Sequence, residues 1–260
     1  MKPRTVFLAL LPLAGFLLTW QVLADQRWIN TALFPSPGQI AASMAALMTE
    51  YEDGRSVLAM HVFTTGKRLA AAAMEGIVIG MTGGCLLAVS RWFYRLANPF
   101  ILLILPIPGI AMAPLFIVWL GFGDQVIITI GAVTTFFPVA YNTYAGIRSV
   151  NPQIVHAASI MGAGPLRILV QVYLPWAAVY ILNGIKLGLA RCWRTVVAVE
   201  FIAAADWGLG YMIWDAAEHL NASVVYGGIF LLALLFVILE KGLINGIARL
   251  TVNRWGFSLS

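Results

Sequence analysis

His156-Ala157-Ala158-Ser159-Ile160-Met161-Gly162-Ala163-Gly164-Pro165, running on to Leu174-Pro175, is a polar, small-residue loop set between two long apolar stretches. Arg148 and Arg167 flank it, and Gly162 and Gly164 lie at its centre. The apolar stretches on either side, Val126–Gly146 and Leu174–Ala204, are each long enough to cross a bilayer, because a helix rises 1.5 Å per residue and about 20 apolar residues span the hydrocarbon. The same measure picks out Val6–Ala24, Leu69–Val89, Pro99–Leu120 and Val224–Ile244. The expected fold class is therefore all-α integral membrane, with about six transmembrane helices forming one transmembrane domain over residues 1–260. The loop at 148–172 then joins spans four and five.

Composition sets the same class independently. The chain has 260 residues, 61% of them hydrophobic and only 10% charged. Soluble domains carry about 25% charged residues, so lipid must be the solvent for much of this chain. The net charge of +5 is not a nucleic-acid signature, since the basic residues form no single run and no zinc-finger or RNA-binding motif occurs. Its use is topological. With the N-terminus inside, the cytoplasmic segments hold Lys2, Arg4, Arg91, Arg95, Arg148, Arg167, Lys241, Arg249 and Arg254, and the outer segments hold only Arg27 and Arg55, apart from Lys67 and Arg68 at the outer end of span two. Asp25, Glu50, Glu52, Asp53, Asp124, Asp206, Asp215 and Glu218 fall outside. The bias predicts a cytoplasmic N-terminus and a cytoplasmic loop at 148–172. Val22-Leu23-Ala24 could pass for a signal-peptidase site, but the first apolar run is read as an uncleaved span.

Two outer segments carry structure of their own. Ser36-Pro37-Gly38-Gln39 predicts a helix start, with Ser as N-cap, Pro at the first position and Gln three residues on. Ile40, Met44, Leu47 and Tyr51 follow at helical spacing, predicting a short amphipathic helix that either covers the bundle or meets a soluble partner. Asp206-Trp207-Gly208-Leu209-Gly210-Tyr211, followed by Trp214, predicts a glycine turn with interfacial aromatics. Small residues four apart (Gly76, Gly80 and Gly84; Gly184 and Gly188; Gly242 and Gly246) predict closely packed helices. Cys85 and Cys192 both lie in apolar stretches and are expected to be buried free thiols.

Chemical motifs are few. Gly66-Lys67-Arg68 lacks the upstream Gly and the following Ser or Thr of a phosphate-binding loop, so no ATP hydrolysis is expected of this chain. No metalloprotease, serine-hydrolase or dithiol motif occurs. His61, His156 and His219 lie in different segments and predict no metal site. No catalytic residue is nominated. What remains is a set of ionisable groups at membrane depth, Lys186, Arg191, Arg194, Glu200 and Glu75, where an unpaired charge costs about 2.5–3.5 kcal/mol. They either line a translocation path or pair internally and snorkel. Basic groups on a path would favour an anionic solute only if Glu200 and Glu75 do not neutralise them. Lys67 and Arg68, near the outer end of span two, are expected to snorkel.

The loop has a mechanical logic of its own. Ala157 and Ala158 permit close approach to a partner, Gly162 permits a sharp turn, and Pro165 can start a second short helix. The Ala157-Ala158, Gly162 and Leu174-Pro175 pattern resembles the "EAA" loop of ABC importer permeases. The resemblance extends through Phe34-Pro35-Ser36-Pro37, Leu105-Pro106-Ile107-Pro108, Trp119-Leu120-Gly121-Phe122-Gly123, Phe136-Phe137-Pro138 with Asn142-Thr143, and Gly208-Leu209-Gly210-Tyr211 with Ile213-Trp214-Asp215-Ala216. Together these resemble the permease subunits of nitrate/sulfonate/taurine-type importers.

The resemblance implies a permease of the bacterial cytoplasmic (inner) membrane. It implies a dimer with a second copy of the chain, two ATP-binding subunits that carry ATP and magnesium, and a periplasmic or surface substrate-binding protein. No cofactor is implied in this chain. His156, Ala157, Ala158, Gly162, Ala163, Gly164 and Pro165 would couple to the ATPase. Gly208, Leu209, Gly210 and Tyr211 would help close the outer end of the path. Two positions depart from the pattern: His156 stands where the family has an acid, and Glu75 where it is apolar. A self-contained secondary transporter is the alternative. It would need ion-coupling groups and internal repeats, and no convincing repeat is present.

Overall fold

Apolar length and punctuation by proline and glycine account for most of the helix boundaries. The computed structural model describes residues 3–52 and 54–244. In chain order the elements are α1 (Pro3–Asp25), α2 (Pro37–Thr49), the two-stranded hairpin β1 (Tyr51–Glu52) and β2 (Arg55–Ser56), α3 (Val57–Val89) and α4 (Arg91–Ile104). A 3-10 turn (Gly109–Met112) leads into α5 (Ala113–Leu120), followed by α6 (Asp124–Arg148), α7 (Pro152–Ile160) and α8 (Pro165–Ile168). A π turn (Leu169–Tyr173) feeds α9 (Leu174–Ala203), and α10 (Leu209–Glu218) and α11 (Ala222–Leu239) complete the order before a last π turn (Glu240–Ile244). The protein is an all-α membrane fold. Among the described residues four helices are long and apolar enough to cross a bilayer, and a bent pair makes up to a fifth. The described residues of α1 add a shorter apolar helix, Leu11–Asp25.

Three boundaries differ from the sequence reading. The second span does not start at Leu69; α3 runs unbroken from Val57 over 33 residues, since nothing between Val57 and Leu69 breaks a helix. The third span is not one helix. Its two halves, Arg91–Ile104 and Gly109–Leu120, bend by 102° at the break. Pro106 and Pro108 supply no backbone N–H there, so the ladder cannot cross. The outer helix starts as expected: Ser36 accepts from the N–H of Gln39 and the Gln39 side chain returns to Ser36, a complete capping box. It ends before Tyr51, which joins the hairpin opposite Ser56, because the chain turns extended at Glu50.

The chain divides into two compact units. The first comprises residues 1–64 and 206–234. In it Gln21 accepts from the N–H of Gly38 at 3.0 Å and ties α2 to α1. Met44 and Ile40 of α2 close on Gly227 of α11, and Trp20 meets Tyr226 of α11 edge-on and Phe230 at a tilt, at centroid distances of 6.0 and 6.3 Å. The amphipathic helix thus covers its neighbours.

The second unit comprises residues 65–205 and 235–260 and is built round α6, whose buried residues run from Val126 to Ile147. Both flanking helices reach it through glycine. A Cβ on Gly76 would lie 2.6 Å from the Ala132 carbonyl and one on Gly84 2.5 Å from that of Ala140. Gly184 and Gly188 of α9 likewise sit against Pro138, Asn142 and Thr135. Two of the three small-residue series therefore pack within this chain. In the third, Gly242 has open space around it and Gly246 lies outside the described residues. On a further side of α6, Leu87, Ile101, Phe137 and Ala140 form a cluster that seats α4. Cys192 is buried, Cys85 only partly so, and both are free.

Candidate functional site

The loop between α6 and α9 folds into two short helices held by backbone chemistry. Asn151 caps α7, accepting from the N–H of Gln153. At its end the N–H of Gly162 reaches the Ser159 carbonyl at 3.0 Å. Gly162 has φ +82°, a backbone region where a Cβ clashes with the carbonyl and glycine does not. Open space surrounds it in this chain, so conformation rather than internal packing demands the glycine. Pro165 then opens α8 at its first turn. His156, Ala157, Gly162, Gly164 and Pro165 are exposed, while Ala158 and Ala163 are half-buried. Beside them stand three large apolar side chains with almost no cover: Ile160 at 87% exposure, Met161 at 84% and Leu166 at 73%. These three were not singled out from the sequence, although their apolar character within a polar loop was the available signal.

The five ionisable candidates do not gather in one place. Glu200 is fully buried. It sits 2.8 Å from a guanidinium nitrogen of Arg68 and accepts from the Thr65 hydroxyl at 3.0 and 2.9 Å. Arg68 also reaches Asp124, 2.7 Å away, and Lys67 approaches the same carboxylate at 3.6 Å. Arg68 therefore does not snorkel. It is 3% exposed and joins α3 to the start of α6 and the end of α9. Two cations and two carboxylates balance in this cluster, the condition under which buried charge is tolerated. The paired partner was not legible because Thr65 and Glu200 are 135 residues apart.

The remaining candidates are exposed. Lys186 pairs with Glu240 of the last π turn at 3.5 Å. Arg191 donates to the Leu105 carbonyl at 3.2 Å, at the break between α4 and α5. That carbonyl belongs to the last turn of α4, where intrahelical donors run out. Arg194 is exposed one turn further along α9, and Glu75 is exposed on α3. Among the described residues no cluster of histidine, cysteine and carboxylates could hold a metal ion.

The outer segment is organised by a residue that sequence reasoning did not nominate. Gly208, Leu209 and Gly210 are buried and Tyr211 half-buried. His61 of α3 places Nδ1 3.1 Å from the Gly208 nitrogen and 2.9 Å from its carbonyl oxygen. In one tautomer the ring accepts from the N–H, and in the other it donates to the carbonyl. The imidazole also meets Trp207 at a tilt of 53° and lies nearly parallel to Tyr211, with centroids 4.9 and 6.4 Å away. A buried histidine thus pins the glycine turn at its first residue.

Comparison with known proteins bears on this arrangement. Residues 76–254 match the family model described as binding-protein-dependent transport system inner membrane component. The chain is 32% identical over 240 residues to the taurine transport system permease protein TauC of Escherichia coli K12, covering 92% of this chain and 87% of that one. It is 30% identical over 221 residues to the putative aliphatic sulfonates transport permease protein SsuC of the same organism, covering 85% and 82%. Among solved structures, an inward-facing form of the MetNI methionine ABC transporter superposes with a TM-score of 0.65 at 24% identity, covering 75% of this chain and 95% of that one.

Proposed function

Given that the chain belongs to the inner-membrane components of binding-protein-dependent transport systems, and so is the membrane-spanning translocation subunit of an ABC importer, we propose that residues 148–172 dock its ATPase and transmit ATP binding to the spans. The observation that carries this reading is the exposed apolar trio Ile160, Met161 and Leu166 on a loop folded into two short helices. Apolar side chains this exposed at the head of a loop are what a partner groove would cover. The positive residues of the loop and its neighbours support a cytoplasmic position for it, where ATP is available.

The rest of the assembly follows as part of the same proposal. Two copies of this chain enclose the path at their common axis, in the bacterial inner membrane. Two ATP-binding subunits bind ATP and magnesium, and a substrate-binding protein delivers the solute from outside. ATP binding closes the motor and draws the two protrusions together, and alternating access moves the path between its outward- and inward-facing states. The solute is a small compound of the nitrate, sulfonate or taurine kind, and the names of two relatives, taurine and aliphatic sulfonate permeases, support the sulfonate group as its common feature. His156, exposed on α7, contributes shape or a hydrogen bond rather than a fixed negative charge. Family membership sets aside the self-contained secondary transporter.

Co-purification tests the docking claim. Met161→Glu and Ile160→Glu should insert in the membrane normally and lose most of the bound ATPase, because a carboxylate cannot be buried in an apolar groove without a partner. Retention of the full complement of ATPase by both variants would show that the protrusion is not the docking element.

A further inference from the structure

Arg191 and Arg194 stand on the exposed face of α9, deep in the longest candidate span, Pro165–Ala203. At 1.5 Å per residue Arg191 lies about 18 Å from Ala203 and about 26 Å from Leu174, far from either end. Trp176, Tyr180, Asn183 and Leu187 share the same exposed stripe, so its inner part is aromatic and polar rather than aliphatic. Among the described residues no carboxylate lies within 4.0 Å of either guanidinium: Glu200 and Asp124 are held by Arg68, and Glu240 by Lys186. Glu75 is the remaining acid at depth, and one carboxylate leaves the two guanidiniums in excess. Two unpaired guanidiniums at this depth are too costly to face lipid; they need a water-filled path or an anion.

Arg191 is also held in place. Its bond to Leu105 fixes it at the bend of the α4–α5 pair. The same bend is clamped to α9 one turn away, where a Cβ on Gly109 would lie 2.5 Å from Thr195. A guanidinium has five donors in a fixed fork, so one bond to a carbonyl leaves most of them for a ligand. The geometry is that of a pre-oriented cation, suited to oxyanions with two or more equivalent oxygens.

We propose that Arg191 and Arg194 form an anion-binding site on the translocation path, suited to a small sulfonate-type anion that carries no cation of its own. The proposal rests on the importer reading for its place on a path. It goes further in naming the residues that read the solute's charge. A zwitterion fits less well, because no carboxylate stands beside the pair to take its ammonium.

The test is arginine modification by phenylglyoxal, mapped by peptide mass spectrometry on the intact permease–ATPase complex in phosphatidylcholine nanodiscs. Arg191 and Arg194 should both be labelled. Ethanesulfonate should slow that labelling several-fold, taurine less, and the neutral dimethyl sulfone not at all. R191K should keep the protection of Arg194, and R191Q should lose it. Labelling of neither residue, or equal slowing by ethanesulfonate and dimethyl sulfone, or better protection by taurine, would overturn the site. Slower labelling on adding phosphatidylglycerol, with no effect of ethanesulfonate, would assign the pair to a lipid phosphate and overturn it too. The readout uses no ATP, so it is separate from the importer reading, which fails instead if the complex shows no ATP-dependent uptake of any solute.

Discussion

A guanidinium nitrogen of Arg68 lies 2.8 Å from a carboxylate oxygen of Glu200, with the two side chains 4% and 0% exposed. The pair joins the second and fifth candidate spans, and the Thr65 hydroxyl donates to the same carboxylate. Removing one partner strands the other without solvent. R68M or E200Q should therefore each cost about 3–5 kcal/mol, while the double variant should cost clearly less than the sum. Thermal unfolding of the detergent-solubilised protein measures this. Asp124, 42% exposed in its side chain, should matter much less, with D124N costing at most about 1 kcal/mol. Additive single and double losses would show that the contact is not energetically coupled.

Glycine packing on α6 makes a second prediction. A methyl at Gly76 would come within 2.5 Å of the Thr135 Cβ and 2.6 Å of a backbone oxygen that cannot yield. Gly76→Ala should lower stability by about 1–3 kcal/mol. Gly66→Ala, ten residues away on the same helix with open space around it, should be neutral or slightly stabilising, as helix propensity favours alanine by about 1 kcal/mol. Equal effects at the two positions would count against the packing.

The turn at Gly208 makes a third. His61→Ala removes the acceptor for the Gly208 N–H and leaves a cavity between Trp207 and Tyr211. Amide exchange at Gly208, Leu209 and Gly210 should speed up by about tenfold, the equivalent of one lost hydrogen bond at about 1.4 kcal/mol. Exchange in α7 should be unchanged. Unaltered exchange at Gly208 would mean that His61 does not hold the turn.

Topology makes a fourth. A cysteine replacing Ser159, in a background lacking Cys85 and Cys192, should react with an impermeant maleimide only from the cytoplasmic side. Ser159 is exposed on α7, so in the permease freed of its ATPase access is limited by the membrane alone. Labelling from outside would reverse the orientation drawn from the positive charges.

What the sequence disclosed and what it hid divide along a physical line. Apolar length, the Ser36 cap and Gly162 act over a few residues, and each has a visible local consequence. The bend of the α4–α5 pair was the exception, because a 22-residue apolar count hides two helix-breaking prolines. The pairing of Arg68 with Glu200 and of His61 with Gly208 depends on which helix lies beside which, and spacing along the chain carries no trace of that. Lysine and arginine near a span end were read as snorkelling from a rule that is sound on average. Arg68 departs from it because two carboxylates and a hydroxyl converge on one spot. The exposure of Ile160 and Met161 likewise emerges only once α7 stands clear of the spans.

The central claim is that the protrusion at 148–172 couples an ATPase to transport, and ATP-driven solute uptake by proteoliposomes carrying the whole importer tests it most directly. Gly162 has φ +82°, which a bulky L-residue adopts only under strain, and it stands at the tip of the proposed docking surface. Gly162→Trp should insert and bind solute-loaded binding protein as the wild type does, yet lose uptake, either with ATP hydrolysis running uncoupled or with the ATPase released. Uptake at the wild-type rate by Gly162→Trp, with a normal number of ATP molecules consumed per solute, would contradict the account.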